Sequence, residues 1–129
     1  MTDHEEMSMT EMTNRVSAAR AGIENLRPDE VCAELESAAV MLIDVRELTE
    51  WAAGAIAGAA PVPRGILEFW ATTCLTADRR VILCSSTGLR SALAAQTLQE
   101  LGYIDVCHLA GGVAAWRGAG FPLESNVLD

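Results

Sequence analysis

Residues Val81–Ser91 read VILCSSTGLRS, four apolar residues followed by a short polar loop. Behind this loop, apolar residues recur at helical spacing as far as Leu101, and Gly102 follows at a natural helix C-terminus. The pattern predicts a buried strand, a tight loop and a helix that begins at the loop. Backbone N–H groups of such a loop, the helix dipole and the Arg90 guanidinium together favour binding of an anion. The residues predicted to form the anion-binding loop are Ser86, Thr87, Gly88 and Leu89.

Further segments stand in a fixed order around this loop. They are Asp44-Val45-Arg46-Glu47 after an apolar run, Glu50-Trp51 followed by Gly58-Ala59, Val62–Gly65, and His108–Val113 followed by Trp116. In this order they resemble the single-domain rhodaneses, sulfurtransferases with a Cys-x-x-x-x-Arg loop between a central strand and a helix. The likeness covers about residues 22–124. It implies an α/β, rhodanese-like fold with a five-stranded, mainly parallel sheet and helices on both faces.

The nucleophile position of that family motif falls on Ser85 when it is counted back from Arg90. Arg79-Arg80 and four apolar residues precede Ser85. This is the usual spacing of the family, without a gap, only if Ser85 is aligned with the nucleophile. With Cys84 as the nucleophile, the spacing becomes Cys-x5-Arg, which resembles a related class of phosphatases and some arsenate reductases. The gapless register is preferred and makes Ser85 the nucleophile position, while Cys84 remains the alternative nucleophile.

The resemblance implies that a loop cysteine takes the outer sulfur of thiosulfate or a similar donor as a persulfide. A thiol or cyanide then accepts this sulfur. The step needs an easily ionised thiolate, and a serine hydroxyl cannot store the atom. The chain with Ser85 is therefore predicted to be an inactive form, engineered or natural, of a sulfurtransferase. Two alternatives stay open: a phosphatase or arsenate reductase using Cys84 and Arg90, and a non-catalytic module that binds an anion or a protein.

Other residues near the predicted site have two interpretations each. Asp44 and Arg46 lie at the carboxyl edge of the sheet, where open α/β folds bind ligands, but a structural ion pair is the preferred interpretation. Arg64 either approaches the loop or caps a helix. Cys74 is a second thiol or, preferably, an ordinary loop cysteine. His108 is interpreted as a strand residue rather than a catalytic base.

The length of 129 residues fits one domain with a single core. Met1–Met12 is acidic and rich in Met, and we expect a disordered tail there, followed by one domain over residues 13–129. Strands are predicted near residues 23, 41, 60, 82 and 106. The strand near residue 60 is predicted at Ala59–Val62. Helices are predicted at Thr13–Ala21, Glu47–Ala53 and Arg64–Trp70, among others, and a polar connection is predicted at Ala71–Asp78.

The net charge of −9 argues against nucleic acid or an anionic membrane surface as a partner. A small anionic sulfur donor and a thiol acceptor remain compatible with it, because the loop acts at contact distance. The four cysteines form no Cys-x-x-Cys pair and there are two His, so neither a metal site nor a disulfide framework is expected. We expect no cofactor, and we expect a cytoplasmic protein, since no signal peptide or long apolar run is visible.

Overall fold

The computed structural model describes residues 2–126, with side chains described from Ser8 onward. One sheet of five parallel strands forms the centre of the fold, in the order β1-β5-β4-β2-β3. The strands are β1 (Glu24–Leu26), β2 (Val40–Asp44), β3 (Ala60–Pro61), β4 (Arg80–Cys84) and β5 (Val106–Leu109). The α/β fold with a parallel sheet is therefore as the sequence predicts.

Between residues 2 and 126, six α-helices surround the sheet. They are α1 (Thr2–Ala21), α2 (Pro28–Glu34), α3 (Leu48–Ala53), α4 (Leu67–Cys74), α5 (Leu89–Glu100) and α6 (Gly112–Gly118). A single 3-10 turn at Arg64–Ile66 leads into α4. Gly54, the C-cap of α3, is followed by an isolated antiparallel bridge between Ala55 and Glu124.

The central strand β4 has helices on both of its faces. Val81 and Leu83 belong to a core cluster that α1, α4 and α5 complete, whereas Ile82 and Cys84 belong to a second cluster that includes residues of α2 and α6. All four side chains are fully buried. Successive side chains of a strand point to opposite faces, so a continuous apolar run is what a strand covered on both faces requires.

The first helix is longer than the sequence predicts. It begins at Thr2 rather than Thr13, so residues 2–12, predicted to be a disordered tail, are helical in the structure. Arg15 and Glu11, one helical turn apart, form an ion pair of 2.8 Å, and such pairs support an exposed helix. Residues 8–15 are exposed, and burial begins at Val16. Met1 lies outside the described residues, and the single domain over residues 13–129 stays a prediction.

Two other segments differ from their predicted bounds. The strand predicted at Ala59–Val62 pairs with β2 only at Ala60–Pro61. The helix predicted at Arg64–Trp70 is a 3-10 turn followed by α4, which continues to Cys74. Cys74 therefore ends a helix instead of lying in a polar connection, because the apolar spacing of Leu67 and Ala71 carries the helix one turn further.

The N-terminus of α6 holds the loop after β4 in place. The Val113 N–H donates to the Ser85 carbonyl at 2.8 Å, and the Ala114 N–H donates to the Ser86 carbonyl at 3.0 Å. This contact requires Gly112, whose φ is +66° and whose missing Cβ would lie 2.6 Å from the Ser86 carbonyl oxygen. With their carbonyls turned toward α6, the loop peptides direct their N–H groups to the other side.

We expect Trp116→Ala to lower the free energy of unfolding by about 3–5 kcal/mol, because it empties a large buried site. Trp116 is 5% exposed, donates its ring N–H to the Pro122 carbonyl at 2.9 Å and lies 4.7 Å from the Phe121 ring centroid. Urea denaturation measures the change. Phe69→Ala is the control, since Phe69 is 81% exposed, and an equal loss in both variants would contradict the packing described for α6.

We expect Gly112→Ala to destabilise the protein by on the order of 2 kcal/mol, because both the positive φ and the loop carbonyls oppose a side chain there. Gly118→Ala in the same helix is the matched control, since a Cβ at that position meets nothing within 4 Å. Denaturation curves of the two variants give the comparison. If Gly112→Ala is as stable as Gly118→Ala, α6 does not clamp the loop.

Candidate active site

The loop Ser85–Gly88 connects β4 to α5 at the carboxyl edge of the sheet. Gly88 is the N-cap of α5 with a φ of +94°, a conformation that favours glycine. A Cβ on Gly88 would lie 3.1 Å from the Gly111 nitrogen, so the loop also packs closely on the β5–α6 turn. Glycine at positions 88 and 112 lets the backbones of the loop and of the β5–α6 turn meet closely. The loop thereby lies at the N-terminus of α5.

The Ser85 side chain lies at the centre of the loop. Its Oγ accepts hydrogen bonds from the N–H of Gly88 at 3.2 Å and of Ser91 at 3.1 Å, and its hydroxyl donates to the Ser91 Oγ at 3.2 Å. Ser85 is 1% exposed. Gly88 is one of the residues that the sequence analysis assigns to the loop, whereas Ser91 was not identified there as a site residue.

Two more N–H groups of the loop lie beside the Ser85 side chain in sequence, those of Ser86 and Thr87. Within the described residues, these two groups donate to no protein acceptor. The Ser86 side chain is half-buried, whereas Thr87 and Leu89 are exposed. The loop thus offers backbone donors beside a buried hydroxyl, as an anion site does.

Cys84 lies on the opposite side of the strand from this site. It is fully buried among apolar residues of the cluster that includes α6. Burial, with a further contribution from the Asp44 carboxylate, raises the pKa of the Cys84 thiol well above its ordinary value. A thiol in this state is a poor nucleophile.

Arg90 does lie at the loop, but a carboxylate already pairs with its guanidinium. Its two terminal nitrogens donate to the Glu50 carboxylate at 3.0 and 3.2 Å, and one of them also donates to the Ser86 Oγ at 3.0 Å. The Ser86 hydroxyl donates to Glu50 at 3.1 Å. The hydrogen bond from Arg90 is the main cause that lowers the pKa of Glu50 to about 2.

Glu50 is a site residue that the sequence analysis did not identify. Its carboxylate accepts the Glu47 N–H at 3.0 Å, which anchors it at the start of α3. The signal in the sequence was the Glu50-Trp51 motif, which was used only to recognise the family. Nothing local in the chain indicates that this glutamate reaches across the sheet edge to Arg90.

Asp44 and Arg46 form a buried ion pair beneath the β2–α3 connection. The Arg46 guanidinium donates to both carboxylate oxygens, at 3.0 and 2.8 Å, and to the Gly54 carbonyl at 2.8 Å. Asp44 is fully buried and Arg46 is 7% exposed. These contacts hold two loops together, which is what a structural ion pair does.

Arg64 points away from the loop. It pairs with Glu68 at 2.7 Å and donates to the Thr97 hydroxyl at 3.1 Å, so it ties α4 to α5. Cys74 is exposed at the end of α4. In the described part of the chain, neither residue forms a hydrogen bond with the loop.

His108 is a fully buried strand residue that nevertheless connects to the loop. Its Nδ1 lies 2.9 Å from the Ser91 Oγ, and its Nε2 lies 2.7 Å from the Asn25 Oδ1. Burial lowers the pKa of His108 to about 4. Sequence reasoning placed His108 in a strand but missed this network, because Asn25 is remote in sequence.

Over residues 2–126, no group of His, Cys, Asp and Glu side chains is arranged to hold a metal ion. No helix among these residues is both long and apolar enough to cross a bilayer.

Comparison with known proteins agrees with this architecture. A solved structure from Rhodopseudomonas palustris, described as a protein of unknown function and possible tyrosine phosphatase, is 33% identical with a TM-score of 0.79 and covers 88% of this chain and 93% of its own. The polysulfide-sulfur transferase homodimer of Wolinella succinogenes is 31% identical with a TM-score of 0.77, covering 94% and 91%.

Similarity to a sequence with a sulfurtransferase name is more local. The probable adenylyltransferase/sulfurtransferase MoeZ of Mycobacterium tuberculosis is 38% identical over 76 residues, which are 58% of this chain but 19% of that protein. The chain therefore matches only a small part of that relative's length. The model of the rhodanese-like domain matches residues 27–119. This range begins just after β1 and includes the strands β2 to β5, the loop and α5. The chain belongs to the rhodanese-like domain family.

Proposed function

We propose that this chain is a sulfurtransferase-type rhodanese domain without its sulfur nucleophile: it keeps the anion-binding loop but cannot carry sulfane sulfur. One observation supports this most directly. The Ser85 Oγ accepts hydrogen bonds from the Gly88 and Ser91 N–H groups. Ser85 is also the position at which the family motif has its nucleophile. The sulfurtransferase names among relatives agree with this chemistry.

A thiol at position 85 would have a defined reaction. Its thiolate attacks the outer sulfur of thiosulfate, a new S–S bond forms, the S–S bond of the donor breaks, and sulfite leaves with the electron pair. The thiolate of an acceptor, or cyanide, then attacks the outer sulfur of the persulfide and regenerates the thiolate. The N–H groups of Gly88 and Ser91, which point at position 85, stabilise the negative charge on the sulfur before and after transfer. No cofactor takes part in these steps.

The serine hydroxyl of this chain cannot follow that course. An alcohol is not ionised near neutral pH, and an oxygen bound to sulfur is not a carrier of sulfane sulfur. The chain as it stands is therefore proposed to bind a small anion, such as thiosulfate, without turning it over. Binding of an anion without turnover corresponds to the non-catalytic anion-binding module, which is one of the alternatives that the sequence left open.

The register that uses Cys84 as nucleophile has less support. The Cys84 thiol is enclosed in the core and its pKa is raised, while the loop donors point to the neighbouring side chain. A phosphatase or arsenate reductase would need this thiol at the loop and ionised.

The proposed partner of the chain as it stands is a small anionic sulfur donor, and a thiol acceptor would take part only with a thiol at position 85. All four cysteines are free thiols. Free thiols and persulfide chemistry fit a reducing compartment, so we place the protein in the cytoplasm as part of the proposal.

We expect the chain as it stands to show negligible thiosulfate:cyanide sulfurtransferase activity, and Ser85→Cys to create it, because only this position faces the loop donors. Cys84→Ala should leave the activity of the Ser85→Cys variant mostly intact. Thiocyanate production measures each rate. Activity in the unaltered chain that disappears in Cys84→Ala would refute the assignment of Ser85.

The Arg90–Glu50 pair gives a pH-dependent stability. The folded pKa of Glu50, about 2, lies below its ordinary value of 4.5, so the pair stabilises the fold above pH 4.5 and loses this contribution as pH falls toward 2. We expect Glu50→Gln to be less stable than the unaltered protein at pH 7. The difference should shrink steadily below pH 4.5, as measured by urea denaturation at several pH values. A difference that stays constant down to pH 3 would show that the pair does not form.

A further inference from the structure

A chain of hydrogen bonds connects the loop to the edge strand β1. The Ser85 hydroxyl donates to the Ser91 Oγ at 3.2 Å, and the Ser91 Oγ lies 2.9 Å from the His108 Nδ1. The other ring nitrogen, Nε2, lies 2.7 Å from the Asn25 Oδ1. Asn25 and His108 are register partners of β1 and β5, so the sheet itself sets this last contact.

The direction of every bond in this chain follows from Asn25. Its Nδ2 donates to the carbonyls of Arg20 at 2.9 Å and Ile23 at 3.0 Å, which leaves Oδ1 to face His108. An amide oxygen only accepts, so the proton of the imidazole is on Nε2 and the Nδ1 carries a lone pair. The opposite tautomer would place two lone pairs against each other.

The ring stays neutral at ordinary pH. Burial, and secondarily the charge of Arg20 on α1, lower the pKa of His108 to about 4. The partners that β1 and α5 place on the ring, Asn25 and Ser91, are neutral. Nδ1 therefore accepts a hydrogen bond from the Ser91 hydroxyl at 2.9 Å. The other possible acceptor of this hydroxyl, the Gly88 carbonyl, is farther away at 3.3 Å. Ser91 consequently presents a lone pair to position 85.

We propose that Asn25, His108 and Ser91 are positioning residues that match position 85 to a neutral hydrogen-bond donor, the serine hydroxyl, and disfavour a thiolate there. This inference rests on the proposed function, in which position 85 is the nucleophile position. A hydroxyl uses one proton and two lone pairs, and Ser85 has a partner for each of them. A thiolate at position 85 has no proton to donate to the Ser91 Oγ. Its negative sulfur would therefore face the Ser91 lone pair without a hydrogen bond between them.

Reversing the direction of the chain should favour the thiolate. Asparagine at position 108 can place its amide group about where Nδ1 lies and can donate an N–H to the Ser91 Oγ. The Ser91 hydroxyl is then free to donate to sulfur. In a Ser85→Cys protein, we expect His108→Asn to lower the pKa of the introduced thiol by about one unit, a roughly tenfold gain in thiolate below the pKa.

The test measures the alkylation rate of the introduced thiol against pH, by peptide-resolved mass spectrometry, in a Cys84→Ala, Ser85→Cys background. His108→Asn is added alone and together with Ser91→Ala. We expect the pKa to fall with His108→Asn and this effect to vanish when Ser91 is Ala, since Ser91 carries the coupling. Gln99→Ala is the matched control, because its amide donates to the Gly22 carbonyl of the same α1–β1 connection, and we expect it to change nothing.

Three results would overturn the inference: an unchanged thiol pKa with His108→Asn, an equal fall in the presence and absence of Ser91, or an Nδ1–H tautomer of His108 in 15N NMR of the unaltered chain. If His108→Asn does not fold, Asn25→Ala releases the ring tautomer and should produce the same fall. An unchanged pKa in that variant also counts against the inference. Alkylation needs no sulfur donor, so a reactive introduced thiol without sulfur transfer would contradict the proposed function alone.

Discussion

The contact between the N-terminus of α6 and the loop carbonyls is the interaction on which the site depends. Val113 and Ala114 bind the carbonyls of Ser85 and Ser86, and Gly112 permits the close approach. Because these bonds use backbone atoms only, the loop keeps its shape whichever small side chain is at position 85. In the proposed function, an anion site made of backbone donors therefore keeps its shape with serine at position 85.

Local charge at the site is balanced rather than positive. The chain has a net charge of −9, and Glu50 pairs with Arg90 at the loop. In the proposed function, recognition of an anion depends on N–H groups and the dipole of α5, which act at contact distance. The diffuse negative charge of the chain gives an approaching anion no electrostatic steering. An anionic sulfur donor would have to compete with the Glu50 carboxylate for the Arg90 guanidinium.

Prediction from sequence worked where the signal is local or repeated. The apolar run before Ser85 and the helical spacing after it give β4 and α5 directly, and resemblance supplied the sheet. The extension of α1 to Thr2 was missed because the sequence of residues 2–12 shows no apolar stripe at helical spacing. Glu50 with Arg90, and Asn25 with His108, were missed because each pair is made by tertiary structure. The second pair is 83 residues apart, and only the register of β1 on β5 brings it together.

The position of sulfur after exposure to thiosulfate tests the central claim most directly. Mass spectrometry of the peptide Val81–Arg90 should show no added sulfur in the unaltered chain, where Cys84 is its one thiol. The same peptide of the Cys84→Ala, Ser85→Cys protein should gain one sulfur atom, which cyanide removes. A cyanide-labile sulfur on Cys84 of the unaltered chain would contradict the account.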